Sequence, residues 1–265
     1  MRASTQKWLF PFLTLLLLVA PLLSAQGILE EGIESHSYLF EPTNEEIEYA
    51  LFKPSSYDGS EAAPLLVLLH GLGSNPGQVI RYQGLTAEAE EHGFLVVAPY
   101  GFNNRGWYGS RGPGKPGFRE VADDPENLGE LSEQDVMNVI GRVRKDLAVD
   151  ESRVYLMGHS MGGAGTWHFA KKLPDLWAGL ALLSAASFGV PDGLETIQHI
   201  PSIVVHGDMD PLVPVESSRQ TVAKLEEIGT EHRYIEIAGG NHVSSITENP
   251  ELMSEIFEFL AAHSR

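Results

Sequence analysis

Cysteine is absent from this 265-residue sequence. That excludes a disulfide framework, a thiolate nucleophile and cysteine-ligated zinc, and leaves the apolar core as the means of holding the chain together. Basic residues are scarce, 18 lysines and arginines against 36 aspartates and glutamates, for a formal net charge of -18. A surface this acidic repels nucleic acid and anionic membranes, so a substrate is expected to be neutral or to enter a local pocket that offsets the global field. Repeats and low-complexity tracts are missing too, and beyond residue 25 no apolar run is long enough to span a bilayer. One substantial globular unit remains.

The first 25 residues have a different character. Arg2 and Lys7 precede an apolar stretch from Trp8 to Leu23, followed by the small residues Ser24 and Ala25, the layout of a secretory signal. Cleavage after Ala25 is expected although Leu23 is large for its position, the alternative being an anchor that stays attached. Removal takes two bases and no acid, moving the charge from -18 to -20. The expected location is secreted or periplasmic, without stable membrane insertion once the signal is gone. Residues 26–44 read as a polar N-terminal segment, loosely ordered at its start, and 45–265 as the main domain.

Within that domain apolar runs alternate with helical periodicity. Strands are predicted near 45–52, 65–69, 94–98, 153–157, 178–184, 202–206 and 233–238; runs such as Leu65 to Leu69, apolar without alternation, suit strands covered on both faces. Helices are predicted near 132–147, opened by a possible Ser132/Asp135 capping box, 161–173, 215–228 and from Asn249-Pro250 onward, with a short one ending near Gly93. Residues 101–131, rich in glycine, read as a long excursion. The order implies a three-layer α/β domain, with a mostly parallel sheet and loops gathered at the C-terminal edge of its strands.

One stretch concentrates the chemistry. In Gly158-His159-Ser160-Met161-Gly162 a serine sits where a strand turns sharply into a helix, a turn that requires minimal bulk two positions either side. A serine hydroxyl needs a base to remove its proton as it attacks, and an acid to hold that base's tautomer. Two later strand ends can supply them. HGDMDPLVP, 206–214, offers Asp208 and Asp210, with Asp210 preferred because it lies at the turn before Pro211 while Asp208 is placed to brace the loop. GGNH, 239–242, offers His242, the one histidine of ten that follows a late strand and glycines; packing roles are expected for His159 and His206. An early strand also runs into His70-Gly71-Leu72-Gly73, a glycine turn placed to present a backbone donor.

LLHGLGSN, VYLMGHSMGGAGTWHFA, HGDMDPLVP and GGNH together make the chain, from about residue 47 to its end, resemble the α/β-hydrolase superfamily of serine esterases, near the phospholipase/carboxylesterase, dienelactone-hydrolase and polyhydroxybutyrate-depolymerase-like groups. The resemblance implies an α/β-hydrolase fold and a carboxylic-ester hydrolase without cofactor or metal, acting on a small-molecule or polymeric ester. It makes Ser160 the nucleophile, Asp210 the acid and His242 the base, with the Leu72 and Met161 amides as the oxyanion hole. Cysteines that staple some secreted relatives are missing, and no large helical lid is visible. The 101–131 excursion should overhang this edge, with Trp107, Tyr108 and Phe118 as an aromatic substrate pocket and Asn103, Asn104, Arg105 and Gly106 beside them. The alternative there is a self-packed loop. Two other functions remain open: a peptidase resembling the prolyl oligopeptidase catalytic domain, though nothing in 45–265 resembles its propeller-like gate, and a non-catalytic binding protein. Oligomeric state is not legible.

Overall fold

The apolar runs become the middle of an eight-stranded sheet in a computed structural model that describes residues 32–265. The strands are β1 (Ile33–Phe40), β2 (Glu45–Phe52), β3 (Ala63–Leu69), β4 (Leu95–Pro99), β5 (Val149–His159), β6 (Gly179–Leu183), β7 (Ser202–Gly207) and β8 (His232–Ile237). Their order is β1-β2-β4-β3-β5-β6-β7-β8. All neighbours from β4 to β8 pair in parallel; only β1 with β2 and β2 with β4 are antiparallel. The leader expected at 1–25 lies outside the described residues. Among the described residues no helix is long and apolar enough to cross a membrane.

The sheet is buried on both faces because successive side chains point opposite ways. From β3 and β5, Leu65, Val67, Leu69, Val154 and Leu156 join one core, while Leu66, Leu68, Tyr155 and Met157 join the other. The helices are α1 (Pro76–Val79), α2 (Leu85–His92), α3 (Leu128–Asp146), α4 (Met161–Lys172), α5 (Val215–Glu227), α6 (Ser244–Thr247) and α7 (Pro250–Ala261). The first core packs under α3, α4 and α5 through Val136, Val139, Phe169 and Leu225; the second packs under α1, α2 and α7 through Val79, Leu85, Ile256 and Phe257. Three layers result, as the alternation predicts. The α7 start is as expected, with Asn249 accepting from the Leu252 amide and Pro250 in the first turn.

Two local readings are corrected. The polar segment before residue 45 contributes β1, an edge strand whose Tyr38 and Phe40 turn inward while Ser35, Ser37 and Leu39 face solvent. The Ser132/Asp135 capping box does not form, because α3 begins a turn earlier at Leu128. Both residues instead hold the 101–131 excursion to the domain. Ser132 Oγ accepts from the Tyr108 amide, and Asp135 accepts from Tyr38 Oη at 2.6 Å and from the Gly101 and Phe102 amides at 2.6 and 3.1 Å. Burial pushes the Asp135 carboxyl above its usual range despite these donors.

Strand β5 ends on a histidine that is sealed in the neutral form. Tyr82 Oη donates to His159 Nδ1 at 2.8 Å, and Nε2–H donates to the His242 carbonyl at 2.8 Å. Burial, with the nearby His242 ring adding to it, pushes the His159 imidazolium down to about 4 from an ordinary 6.5.

Two outcomes follow from these buried groups. Asp135→Ala strands three donors in the interior and is expected to cost about 3 kcal/mol or more, read from the shift in denaturant midpoint. His159 makes folding acid-sensitive: as pH falls from 6.5 towards 4 the unfolded chain takes up a proton that the folded chain refuses. Stability therefore drops in that window by up to about 1.4 kcal/mol per pH unit, and levels below it. Denaturant titrations across the window should show a shallower pH slope for His159→Gln than for the parent protein.

Candidate active site

The turn from β5 into α4 places Ser160 in a backbone conformation, φ 58° and ψ -114°, that ordinary residues avoid. What permits it is the lack of side chains around it. A Cβ on Gly158 would lie 2.1 Å from the Gly162 carbonyl oxygen, and one on Gly162 would lie 2.1 Å from the Leu69 carbonyl oxygen. The serine backbone is then fixed on both sides: its amide donates to the Leu183 carbonyl, and its carbonyl accepts from the Ala186 amide.

Folding brings Ser160, His242 and Asp210 into one hydrogen-bonded line. With the proton on Nδ1, His242 donates to Asp210 Oδ2 at 2.6 Å and accepts at Nε2 from Ser160 Oγ at 2.8 Å. Asp210 is buried, and its other oxygen accepts the Leu212 and Val213 amides at 2.8 and 2.9 Å. Burial alone would raise this carboxyl, but those amides and the His242 ring outweigh it and hold Asp210 below the usual carboxylate range. It stays ionised, as an acceptor facing an imidazole must. Asp208 has the bracing place expected of it, accepting from the Gly239 amide and so tying the β7 loop to the β8 loop.

Two histidines expected only to pack take polar roles. His159 holds the His242 backbone from below, as described. His206 donates through Nε2 to the Val213 carbonyl at 3.0 Å, with Asp210 Oδ2 only 3.2 Å away, and its Nδ1 accepts from Ser218 Oγ. The signal in the sequence was their position at the ends of β5 and β7, where side chains converge on the loops. Neither Tyr82 nor Ser218 had any sequence signal.

Leu72 and Met161 flank the serine. The His70-Gly71-Leu72-Gly73 turn abuts it closely enough that a Cβ on Gly71 would lie 3.5 Å from Ser160 Cβ. Met161 opens α4, where an amide has no partner within the helix. Among the described residues neither amide has an acceptor. Gly73 is tied to the excursion through the Asn104 carbonyl.

A cavity of about 720 Å³ opens above Ser160 and His242, lined by Leu72, Tyr82, Trp107, Phe118, Phe188 and Leu212 among others. Four of its lining residues are exposed apolar side chains, Phe118, Phe188, Leu212 and Val243 at 48–62%, with Arg81, Arg119 and Glu248 among the polar ones. Trp107 and Phe118 thus line the cavity as expected, and pack edge to face at 6.2 Å. Tyr108 does not. It is wholly buried, its hydroxyl donating to the His70 carbonyl and its ring lying against Gly165, so the backbone at φ 54° turns it away from the cavity into the core. Arg105 is likewise occupied, forming an ion pair with Asp124, and Gly106 packs on Ser132. Phe188, Leu212 and Val243 join the wall from loops that carry no periodic pattern.

Comparison with known proteins places the fold. The profile of the phospholipase/carboxylesterase family matches residues 56–264. NocK of Nocardia uniformis subsp. tsuyamanensis is 29% identical over 171 residues, 64% of this chain and 47% of that protein. The bis(hydroxyethyl) terephthalate hydrolase of Streptomyces coelicolor is 29% identical over 219 residues, 78% of this chain and 66% of that one. The chain thus spans less than two thirds of the length of either. A thermostable esterase of known structure superimposes with a TM-score of 0.64 at 27% identity, covering 90% of this chain and 64% of its own. The three-layer architecture is the α/β-hydrolase fold, and with the family profile reaching from the loop before β3 to the penultimate residue, the chain belongs to the phospholipase/carboxylesterase family.

Proposed function

We infer that this protein hydrolyses carboxylic esters through an acyl-enzyme formed on Ser160. The observation that carries the reading is the unbroken line from Ser160 Oγ through His242 to an ionised, buried Asp210, at the floor of an aromatic-walled cavity. His242 takes the hydroxyl proton as Oγ attacks the ester carbonyl, and Asp210 holds the ring in the tautomer that can accept it. The tetrahedral oxyanion is received by the Leu72 and Met161 amides, both without another acceptor among the described residues. His242 then returns the proton to the departing alcohol and activates water against the acyl group. The exposed Phe118, Phe188, Leu212 and Val243 side chains favour an ester with an aromatic or short aliphatic part, and the terephthalate hydrolase among its relatives is in keeping with an aromatic one. The Arg2 to Ala25 segment supports export before the enzyme acts.

The reading predicts graded losses against a short-chain p-nitrophenyl ester. Ser160→Ala should lower kcat on the order of 10^6-fold and Asp210→Ala on the order of 10^4-fold, with circular dichroism unchanged. Covalent labelling by a fluorophosphonate should vanish in Ser160→Ala. Ester turnover that survives in that variant would refute the assignment.

A further inference from the structure

The cavity over Ser160 shares its aromatic wall with a second one. This second lobe, of about 580 Å³, lies on the far side and shares Trp107, Phe118, Ala186 and Phe188 with the first. The shared wall starts close to the chemistry, since the Ala186 amide donates to the carbonyl of Ser160 itself at 2.9 Å. Ala164, Trp167, Val190 and Pro191 give the second lobe an apolar lining, and Arg111, Lys171 and His168 stand on its walls.

Two of these cations lack a carboxylate partner among the described residues. Arg111 lies over the Trp107 ring at 4.8 Å and uses one N–H, Nε, on the Pro116 carbonyl. Its terminal nitrogens are left as a preoriented fork. Lys171 Nζ donates to the backbone carbonyl of Asp192 at 3.0 Å, leaving two of its three hydrogens. In a chain with twice as many acids as bases, unneutralised cations beside a cavity are a departure from the surrounding field. His168 is engaged by Glu133 at 2.5 Å. One carboxylate, Asp192, also lines the lobe, so Arg111 and Lys171 leave it with a net positive charge. Trp107, common to both lobes, carries a buried indole N–H with no acceptor among the described residues.

We propose that this second lobe is a subsite for a carboxylate at the end of the substrate remote from the scissile bond, so that the enzyme selects half-esters of aromatic dicarboxylic acids. The ring of such a substrate lies along Trp107, Phe118 and Phe188, its ester faces Ser160, and its free carboxylate meets Arg111 and Lys171. This rests on the reading of Ser160 as an esterase nucleophile and adds to it the class of ester.

The test compares monomethyl terephthalate with methyl terephthalamate, in which a carboxamide replaces the carboxylate at the same size. The full-length protein should favour the carboxylate in kcat/KM by about tenfold or more, and the preference should shrink as ionic strength rises past about 0.1 M. Lys171→Gln should cut that ratio several-fold, and Arg111→Gln combined with it should bring the ratio near one. Because Arg111 also ties its own loop, Lys171→Gln alone decides if the double variant fails to fold. A ratio near one in the parent protein, or one that Lys171→Gln leaves unmoved, would overturn the proposal. If neither ester is turned over and no fluorophosphonate label appears, the esterase reading fails instead. Calorimetric binding of free terephthalate to Ser160→Ala, weakened several-fold by adding Lys171→Gln, would then still support the subsite, and binding unaffected by that change would overturn it.

Discussion

The whole site depends on how closely the start of α4 approaches the ends of β3 and β5. Gly162 sits against the Leu69 and His70 carbonyls, and Gly158 against Gly162, at distances where no side chain fits. That contact does two things at once. It bends the chain so that Ser160 takes its left-handed φ, and it draws the His70–Gly73 turn against the serine, so that the turn's amide and the hydroxyl share one small volume. Were α4 displaced by the width of a methyl group, both alignments would be lost together. The proposed acyl transfer demands positioning to within a fraction of an ångström, and a contact of backbone on backbone has no side-chain rotamer to relax.

The remaining partners come from the register of a parallel sheet, whose strands end on the same edge. β7 and β8 then have to bring two separate loops to the serine, and the loops are tied to each other first. Asp208 accepts from the Gly239 amide, and the Met209 amide donates to the Gly240 carbonyl, so Asp210 and His242 move as one piece. That piece is joined to the elbow by His159, which donates to the carbonyl of the same residue whose ring faces Ser160. His242 is thus held through its side chain by Asp210 and through its backbone by the residue next to the serine. A neutral His159 suits this task, because its single ring proton is committed to that carbonyl while Tyr82 occupies the other nitrogen.

Much of this was legible in the sequence, because the features concerned are local. Unalternating runs such as Leu65–Leu69 and Leu180–Leu183 gave the buried strands, the glycines around Ser160 gave the elbow, and the position of Asp210 before Pro211 separated it from Asp208. What stayed hidden is decided by tertiary contacts. β1 reads as polar because it is an edge strand with one face in solvent. Ser132 and Asp135 have the spacing of a cap, yet their acceptors are drawn to Tyr38, Gly101, Phe102 and Tyr108, residues far away in sequence. Tyr108 beside Trp107 is the sharpest case. Two aromatic neighbours in one excursion look equivalent until the backbone turns one to the cavity and the other onto Gly165 and His70.

Charge ties the domain's surface to its cleft. The excess of carboxylates favours solubility and slows the approach of any anion from a distance, but that field is screened beyond about 10 Å at ordinary salt. A direct contact between a carboxylate and a guanidinium is shorter than that screening length, so a few local cations can outweigh many distant acids. Among the described residues Arg111 and Lys171 stand apart from the ion pairs that occupy Arg105, Arg144, Lys172 and Arg219. Their setting on an excursion and a helix face, away from the elbow, would keep the proposed selection separate from the proposed chemistry. A lobe that selects in the proposed way would change what enters without disturbing the glycine contact on which the line from Ser160 to Asp210 depends.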